Sequence, residues 1–152
     1  MQIKVNIDDK EVRGLLNKLQ EKTKDLTPAM QDVGEIVKRS ITKNFDAGGR
    51  PKPWAKSAKG GIPLTDTARL KNSFTIRADA NEATVGTNVQ YAAIHQFGGK
   101  ITAKNKPYLK FKVGEKWVSK KSVTIPARPF MLVQDEDWTA IKTALSRRLT
   151  GE

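Results

Sequence analysis

The chain contains one histidine, His95, and it is the first candidate for acid–base chemistry. Tyr91 precedes it by four residues in the segment VGTNVQYAAIHQFGG, residues 85–99, so a short helix would put both side chains on one face. With a lysine or arginine to hold phosphate, this pair would suit a ribonuclease-like site. A catalytic histidine also needs a nucleophile, a second base or an orienting carboxylate, and nearby in the sequence there is only Tyr91. We therefore favour a structural role for His95 and expect the chain not to be an enzyme.

Composition removes several other kinds of site. The chain has no cysteine, which excludes disulfides, thiol catalysis and cysteine-based zinc sites. The spacing of its acidic residues suggests no carboxylate metal site. The stretches GGRPKPW and AKGGIP lack the lysine and serine or threonine that end a phosphate-binding loop. We expect neither a metal nor a cofactor.

Positive charge is the strongest signal in the composition. Lys and Arg number 28 against 16 Asp and Glu, a net charge of +12. The excess is concentrated, because residues 100–128 contain nine basic residues and one acid, and residues 38–60 contain seven and one. This pattern is typical either of contact with an anionic partner, nucleic acid or acidic protein, or of a solvated basic face.

Apolar residues at three- and four-residue spacing predict amphipathic helices over residues 9–23, 28–45 and 135–149. Asp8 or Asp9 can cap the first helix, Asp135 is the expected cap of the last, and Thr27-Pro28 is a good start for the second. There is no long apolar run for a membrane span and no signal-peptide pattern, so we expect the mature chain to begin inside a cytoplasm.

Alternating apolar and polar residues predict the strands. They indicate a strand in residues 2–8, a hairpin in 74–87 and a basic hairpin over 100–125 that turns at Gly114-Glu115. Two short helices, 64–74 and 89–97, complete the prediction, the second ended by Gly98-Gly99. The expected architecture is a single α+β domain, 1–152, with three helices packed on an antiparallel sheet and the basic hairpin projecting from it.

Residues 46–63 are too rich in glycine and proline for a regular element, and so long a loop is typical of a functional segment. Its large apolar residue, Trp54, either anchors the loop on the domain or contacts a partner. The basic hairpin raises a similar question. Its aromatic residues Tyr108, Phe111 and Trp117 alternate with lysines, as in single-strand binders, but the same alternation would give one buried face.

Two of these segments together resemble a known family. VGTNVQYAAIHQFGG followed by IPARPFM, residues 125–131, is similar to the paired motifs of the phage virion morphogenesis family, which includes tail completion proteins of Mu-like and related tailed phages. The segment LTDTARLKNSF resembles that family's Leu-x-x-Thr-Gly-x-Leu-x-x-Ser-Ile, and Pro53-Trp54 fits its glycine-rich approach to a tryptophan. The departures are Ala68 for glycine, Phe74 for isoleucine and Met131 for leucine, and Ala68 makes a left-handed turn at that position less comfortable.

The resemblance implies a non-enzymatic structural protein of the phage neck or upper tail. Such a protein acts in tail completion and head-tail joining, forms a ring that is commonly hexameric, and meets the tail tube, the head-side connector and passing packaged DNA. It is assembled in the bacterial cytoplasm and ends in the virion. Two alternatives stay open: a nucleic-acid-binding module that uses the 100–125 hairpin, and a His95-dependent nuclease.

The resemblance implies structural roles for the segments that carry it. We expect the side chains of Tyr91, His95 and Gln96 to hydrogen-bond neighbouring backbone while Gly98-Gly99 reverses the chain. The segment PARPF (Pro126, Ala127, Arg128, Pro129 and Phe130) would hold the return of the hairpin beside the last helix, with Arg128 binding a carboxylate inside the subunit or across a subunit boundary. The expected assembly interfaces are the 46–63 loop and the hairpin, through Arg50, Trp54, Lys110, Lys112, Lys116, Lys120 and Lys121.

Overall fold

The computed structural model describes residues 1–4 and 9–151, so residues 5–8 of the first predicted strand lie outside the described part. The helices are α1 (Lys10–Lys22), α2 (Thr27–Asp46), α3 (Ala92–Phe97) and α4 (Asp135–Thr150). The strands are β1 (Gln2–Lys4), β2 (Thr75–Ala78), β3 (Ala83–Gly86), β4 (Gly99–Thr102), β5 (Leu109–Val113), β6 (Lys116–Lys120) and β7 (Ser122–Ile125). Helices packed with small antiparallel sheets confirm the predicted α+β class, and the three long helices lie where the apolar spacing placed them.

The strands form three antiparallel sheets. β3 is the central strand of the first, in the order β1-β3-β2. The other two are pairs, β4 with β7 and β5 with β6. We refer to residues 99–125, which contain both pairs, as the arm.

α2 is the centre of the core. Its first half packs Met30 and Val33 against α1 and α4, and its second half packs Ile41 and Phe45 against the sheet and the segment before α4. Phe45 and Phe130 stack with ring centroids 5.1 Å apart and both are fully buried. One long amphipathic helix therefore joins the two clusters of apolar side chains.

The helix starts differ in part from the prediction. Asp9 caps α1 as expected, accepting from the backbone of the first turn. α4 is capped by Gln134 and not by Asp135: the Asp137 carboxylate accepts from the Gln134 amide at 2.7 Å in a capping box. Asp135 therefore lies inside the helix, where its charge still favours the N-terminal end.

The helix predicted over 64–74 is wrong. Only a single 3₁₀ turn, Lys71–Ser73, is present there. Leu64 and Ala68 have φ values of 66° and 52°, which no right-handed helix contains. The apolar spacing still identified the buried positions, because Leu70 and Phe74 face the core.

In the described part, no helix is both long and apolar enough to cross a membrane.

Candidate assembly interface

The Gly98-Gly99 pair forms a corner between α3 and the arm. α3 ends at Phe97 and is capped by Gly98, whose φ is 69°. A Cβ at Gly98 would lie 2.7 Å from the Ala127 nitrogen and 2.9 Å from the Ile125 carbonyl oxygen. Glycine is required here because the backbone of the PARPF segment approaches so closely. Gly99 follows as the first residue of β4.

A side-chain amide ties this corner to the PARPF segment. Gln96 Oε1 accepts hydrogen bonds from the Phe130 and Met131 amides, both at 3.0 Å. The main-chain carbonyl of His95 accepts from the Arg128 amide at 2.7 Å. The predicted backbone contact of Gln96 is confirmed, whereas His95 makes its contact through its own main chain.

The side chains of Tyr91 and His95 meet ring to ring. Their centroids are 5.8 Å apart and the planes are at 85°. Within the described ranges, the buried Nδ1 of His95 has no hydrogen-bond partner. The Nδ1 atom of His95 therefore does not make the predicted side-chain bond to the backbone. Burial, and then the charge of Arg128, lowers the pKa of His95 and favours the neutral ring at pH 7.

The cleft beside His95 shows what chemistry this ring can do. It has a volume of about 400 Å³ and is also lined by Lys59, Asp66 and Lys112. Among the residues described, no side chain is hydrogen-bonded to the imidazole Nδ1, and no three potential metal ligands come together. A histidine base is commonly oriented by a bond to its second nitrogen, and among the residues described no side chain makes that bond to Nδ1 of His95.

Arg128 holds the long loop in place. It is 8% exposed, and its guanidinium donates to the Ala55 carbonyl at 3.0 Å and the Lys56 carbonyl at 3.3 Å. The predicted carboxylate inside the subunit is therefore wrong, and a carboxylate across a subunit boundary stays a prediction. Two backbone carbonyl oxygens of a well-packed loop can take the place of the two oxygens of a carboxylate as acceptors for the guanidinium N–H groups.

Trp54 is the anchor of this loop and is not available as an interface residue. It is 8% exposed and meets Phe45 edge-to-face, with centroids 5.6 Å apart. Its indole nitrogen donates to the Pro129 carbonyl at 3.1 Å. Of the two roles left open for Trp54, the structure therefore selects burial, because the polar group finds a partner inside.

Arg50 is likewise occupied inside the molecule. It donates to Asn44 Oδ1 at 2.9 Å and to the Ser40 hydroxyl at 3.0 Å, and it forms an ion pair with Glu136. These contacts join the end of α2 to the start of α4. The expectation that Arg50 is an assembly contact is not supported, because its donors are already used and only 22% of its side chain is exposed.

The arm keeps its charged groups in solvent. All five lysines proposed for the interface are exposed: Lys110, Lys112, Lys116, Lys120 and Lys121. In the β5–β6 register, Lys110 pairs with Ser119 and Lys112 with Trp117, so these four side chains share one face. Lys116 and Lys120 lie on the other face, opposite Val113 and Leu109. Whether these lysines contact a partner stays a prediction.

Exposed apolar side chains are concentrated in the arm and next to it. Trp117 is 74% exposed and Phe97, just before the arm, is 73% exposed. Ile101, Tyr108 and Val113 are also exposed. The sequence pattern did not predict that Phe97 and Ile101 are exposed, because the spacing of apolar residues in a short element does not show which face is buried. Large apolar side chains in water are typical of surfaces that bind a partner.

Comparisons with known proteins identify the family of the chain. The sequence matches the model of the phage virion morphogenesis family over residues 7–150. It is similar to Mu-like prophage FluMu G protein 2 of Haemophilus influenzae, with 36% identity over 138 residues, which cover 90% of this chain and 87% of that protein. No solved structure matches it. Because the family model covers nearly the whole chain, the chain belongs to the phage virion morphogenesis family.

Proposed function

We propose that the protein is a ring-forming subunit of the phage neck or upper tail that acts in tail completion and head-tail joining. A role in virion morphogenesis follows from its family. The observation that supports the finer proposal is the arm, where exposed lysines accompany Trp117 at 74% exposure. A subunit that joins others needs such a surface, and a head-to-tail contact between unlike surfaces gives a closed ring when the rotation between neighbouring subunits divides a full turn.

The proposal places the protein in the virion at the head-proximal end of the tail after assembly in the host cytoplasm. Its partners would be further copies, in a hexamer, together with the tail tube and the head-side connector. The internal contacts of Arg50 and Trp54 favour a structural role for these two residues of the 46–63 loop. The arm is left as the surface whose composition best fits assembly, because a large aromatic side chain is a common binding hot spot.

The test is the mass of the purified protein in solution, measured by light scattering over a range of concentration, alone and with tail tubes. We expect a closed ring, or a monomer that becomes a ring on tubes. The double variant Lys110→Glu/Lys112→Glu should weaken this assembly, because it reverses charge on the exposed face that contains Trp117. Lys18→Glu/Lys24→Glu changes the net charge equally on exposed residues outside the arm and should leave assembly intact.

A second candidate function is nucleic-acid binding by the same face. Lys110, Lys112 and Trp117 combine cations with an aromatic ring, which is the arrangement that binds single strands. This candidate predicts a monomer that binds DNA tightly and loses affinity steeply with salt, by the release of counterions. A ring of fixed mass whose formation does not depend on DNA would exclude it as the main function.

A further inference from the structure

The cleft beside His95 lies where separate parts of the chain meet. The 46–63 loop and the segment after it form one wall, the end of β5 forms another, and Arg128 and α3 complete the lining. The volume of about 400 Å³ is in the range of sites that hold a small molecule or a short piece of a partner. The cleft can therefore take a few side chains from another molecule.

Arg128 offers one nitrogen to this cleft. Its Nε and Nη2 donate to the carbonyls of Ala55 and Lys56, whereas Nη1 makes no hydrogen bond to the residues that the structure describes. Within the described ranges, the fully buried polar side-chain atom without a partner is Nδ1 of His95, so Nη1 of Arg128 is reached by solvent. A guanidinium that is 8% exposed thus has two N–H donors open to the cleft that it lines.

The charge of Arg128 lacks an anionic partner. Burial lowers the pKa of its guanidinium, because the charged form is less well solvated there than in water. The two loop carbonyls accept hydrogen bonds from it but have no formal charge. An anion at Nη1 would supply a charge-assisted hydrogen bond and offset the lost solvation. The arginine therefore favours an anionic ligand.

The other charges of the cleft act in the same direction. Three basic side chains and one carboxylate line it, which gives a net charge of +2. Lys59 and Asp66 form a distant pair at 3.9 Å, with side chains that are 58% and 82% exposed. Lys112 is exposed and has no ion pair with the part of the chain that the structure describes. Lys112 and Arg128 thus leave an excess of positive charge.

The walls of the cleft are apolar. Ile62 of the loop is 48% exposed and Val113 at the end of β5 is 36% exposed, with Leu64 beside them. An apolar side chain placed between these walls would remove surface of both from water. A fitting ligand therefore has apolar groups next to its negative charge.

This combination favours a protein carboxylate over nucleic acid. A polynucleotide has a row of phosphates, and those next to the phosphate at Arg128 would meet the carboxylate of Asp66 and the apolar walls. An aspartate or glutamate between apolar residues brings one negative charge and suitable neighbours. Because this chain has 28 basic and 16 acidic residues, a partner with a surplus of acids is the complementary source of such a segment.

We propose that the cleft is a carboxylate-binding site for an acidic segment of a different virion protein. The carboxylate accepts from Nη1 of Arg128, with Lys112 beside it. Apolar side chains of the same segment lie between Ile62 and Val113, so a bound segment contacts the loop and the arm together. The site deepens the proposed function, on which the partner's place in the virion rests, by giving the chemistry of one contact.

The single histidine of the chain makes the site observable. The probe is the peptide acetyl-Leu-Ser-Glu-Ser-Leu-amide, whose leucines and glutamate share one side when it is extended. The signal of the His95 Hε1 proton should shift saturably in NMR spectra, with a dissociation constant of about 1 mM or lower. The peptide should also raise the pKa of His95, because its charge offsets that of Arg128. The same peptide with glutamine for glutamate is the control and should bind at least about tenfold more weakly.

Two lysine variants locate the site on the arm. Lys112→Gln should weaken binding of the glutamate peptide about two- to fivefold, as expected for the loss of one exposed cation. Lys110→Gln makes the same change at an exposed lysine outside the cleft and should leave binding unchanged. Arg128 itself is kept, because it also holds the loop.

Four outcomes would overturn the proposal. Equal binding of the two peptides would leave only an apolar cleft. A shift of the His95 signal by inorganic phosphate or an oligothymidine strand at lower concentration than by the glutamate peptide would indicate a phosphate site. No shift at about 10 mM peptide would remove the site, while light scattering would still decide whether a ring forms. A ring that the glutamate peptide dissociates would mean that a second copy, and not a different protein, fills the cleft.

Discussion

Ala68 occupies a backbone conformation that favours glycine, and replacing it tests the turn before the 3₁₀ segment. Its φ is 52°, and its carbonyl accepts from the Asn72 amide at 2.9 Å. This turn delivers Leu70, which is 2% exposed, into the core. Because glycine adopts this φ without strain, Ala68→Gly should relieve the backbone without changing the path of the chain.

The size of the effect follows from two opposing terms. A left-handed conformation costs a residue with a Cβ about 1–2 kcal/mol. Glycine raises the entropy of the unfolded chain, which costs about 0.4–1 kcal/mol. The free energy of unfolding should therefore rise by about 0.5–1 kcal/mol, and the melting temperature of a chain of this size by about 1–4 °C.

The assay is urea unfolding followed by circular dichroism, with two control variants. Ala140→Gly, on the exposed side of α4, should lower the free energy of unfolding by about 0.5–1 kcal/mol because glycine is unfavourable inside a helix. Leu64→Gly changes a residue with φ of 66° whose side chain packs on the core, so the loss of packing should outweigh the relief. If Ala68→Gly also lowers the free energy of unfolding, the reasoning from backbone strain is refuted.

Further predictions concern the contacts around the corner of α3. Gln96→Ala removes the acceptor of two backbone amides, those of the fully buried Phe130 and of Met131. We expect the free energy of unfolding, measured in urea, to fall by about 2–4 kcal/mol. A loss under about 1 kcal/mol would mean that water replaces the side-chain oxygen of Gln96. In Arg128→Lys the single amine cannot donate to both loop carbonyls as the guanidinium does. Trypsin should therefore cleave the 46–63 loop faster in this variant than in the unchanged chain. Equal cleavage rates would show that packing alone holds the loop. Because the pKa of His95 is lowered in the folded chain, the unfolded chain takes up a proton at this residue at a higher pH than the folded chain does. The free energy of unfolding should therefore be highest above about pH 6.5 and decrease as the pH falls below it. Urea midpoints between pH 7.5 and 5.5 should show this slope, and His95→Gln should remove it; a slope that persists in the variant would have to come from another group.

Much of the helical structure could be predicted because burial leaves a period in the sequence. α2 shows this best: its apolar residues recur at three and four positions, and the structure buries them in two clusters along one helix. The same rule failed over residues 64–74, where Leu70 and Phe74 are buried but the chain turns between them and Leu64. Spacing reports which residues are inside, and a series of turns can bury them as well as a helix does.

The sequence did not predict which groups the long polar side chains contact. Arg128 contacts the carbonyl of Ala55, which lies 73 positions away, and the Trp54 indole reaches Pro129 across 75. Both residues look equally suited to a partner molecule, since arginine and tryptophan are typical of interfaces and of anchored loops alike. Only the fold brings the segments together and decides between the two.

These internal contacts also narrow the search for the assembly surface. Arg50 and Trp54 were two strong candidates by residue type, and each has its polar groups bonded within the chain. A side chain that already has partners gains little from a new one, because binding must first break the old bonds. Trp117 differs, since three quarters of its surface is in water beside Lys112, and burial of that ring would contribute favourably to any contact. The arm is therefore where substitutions should separate assembly from folding.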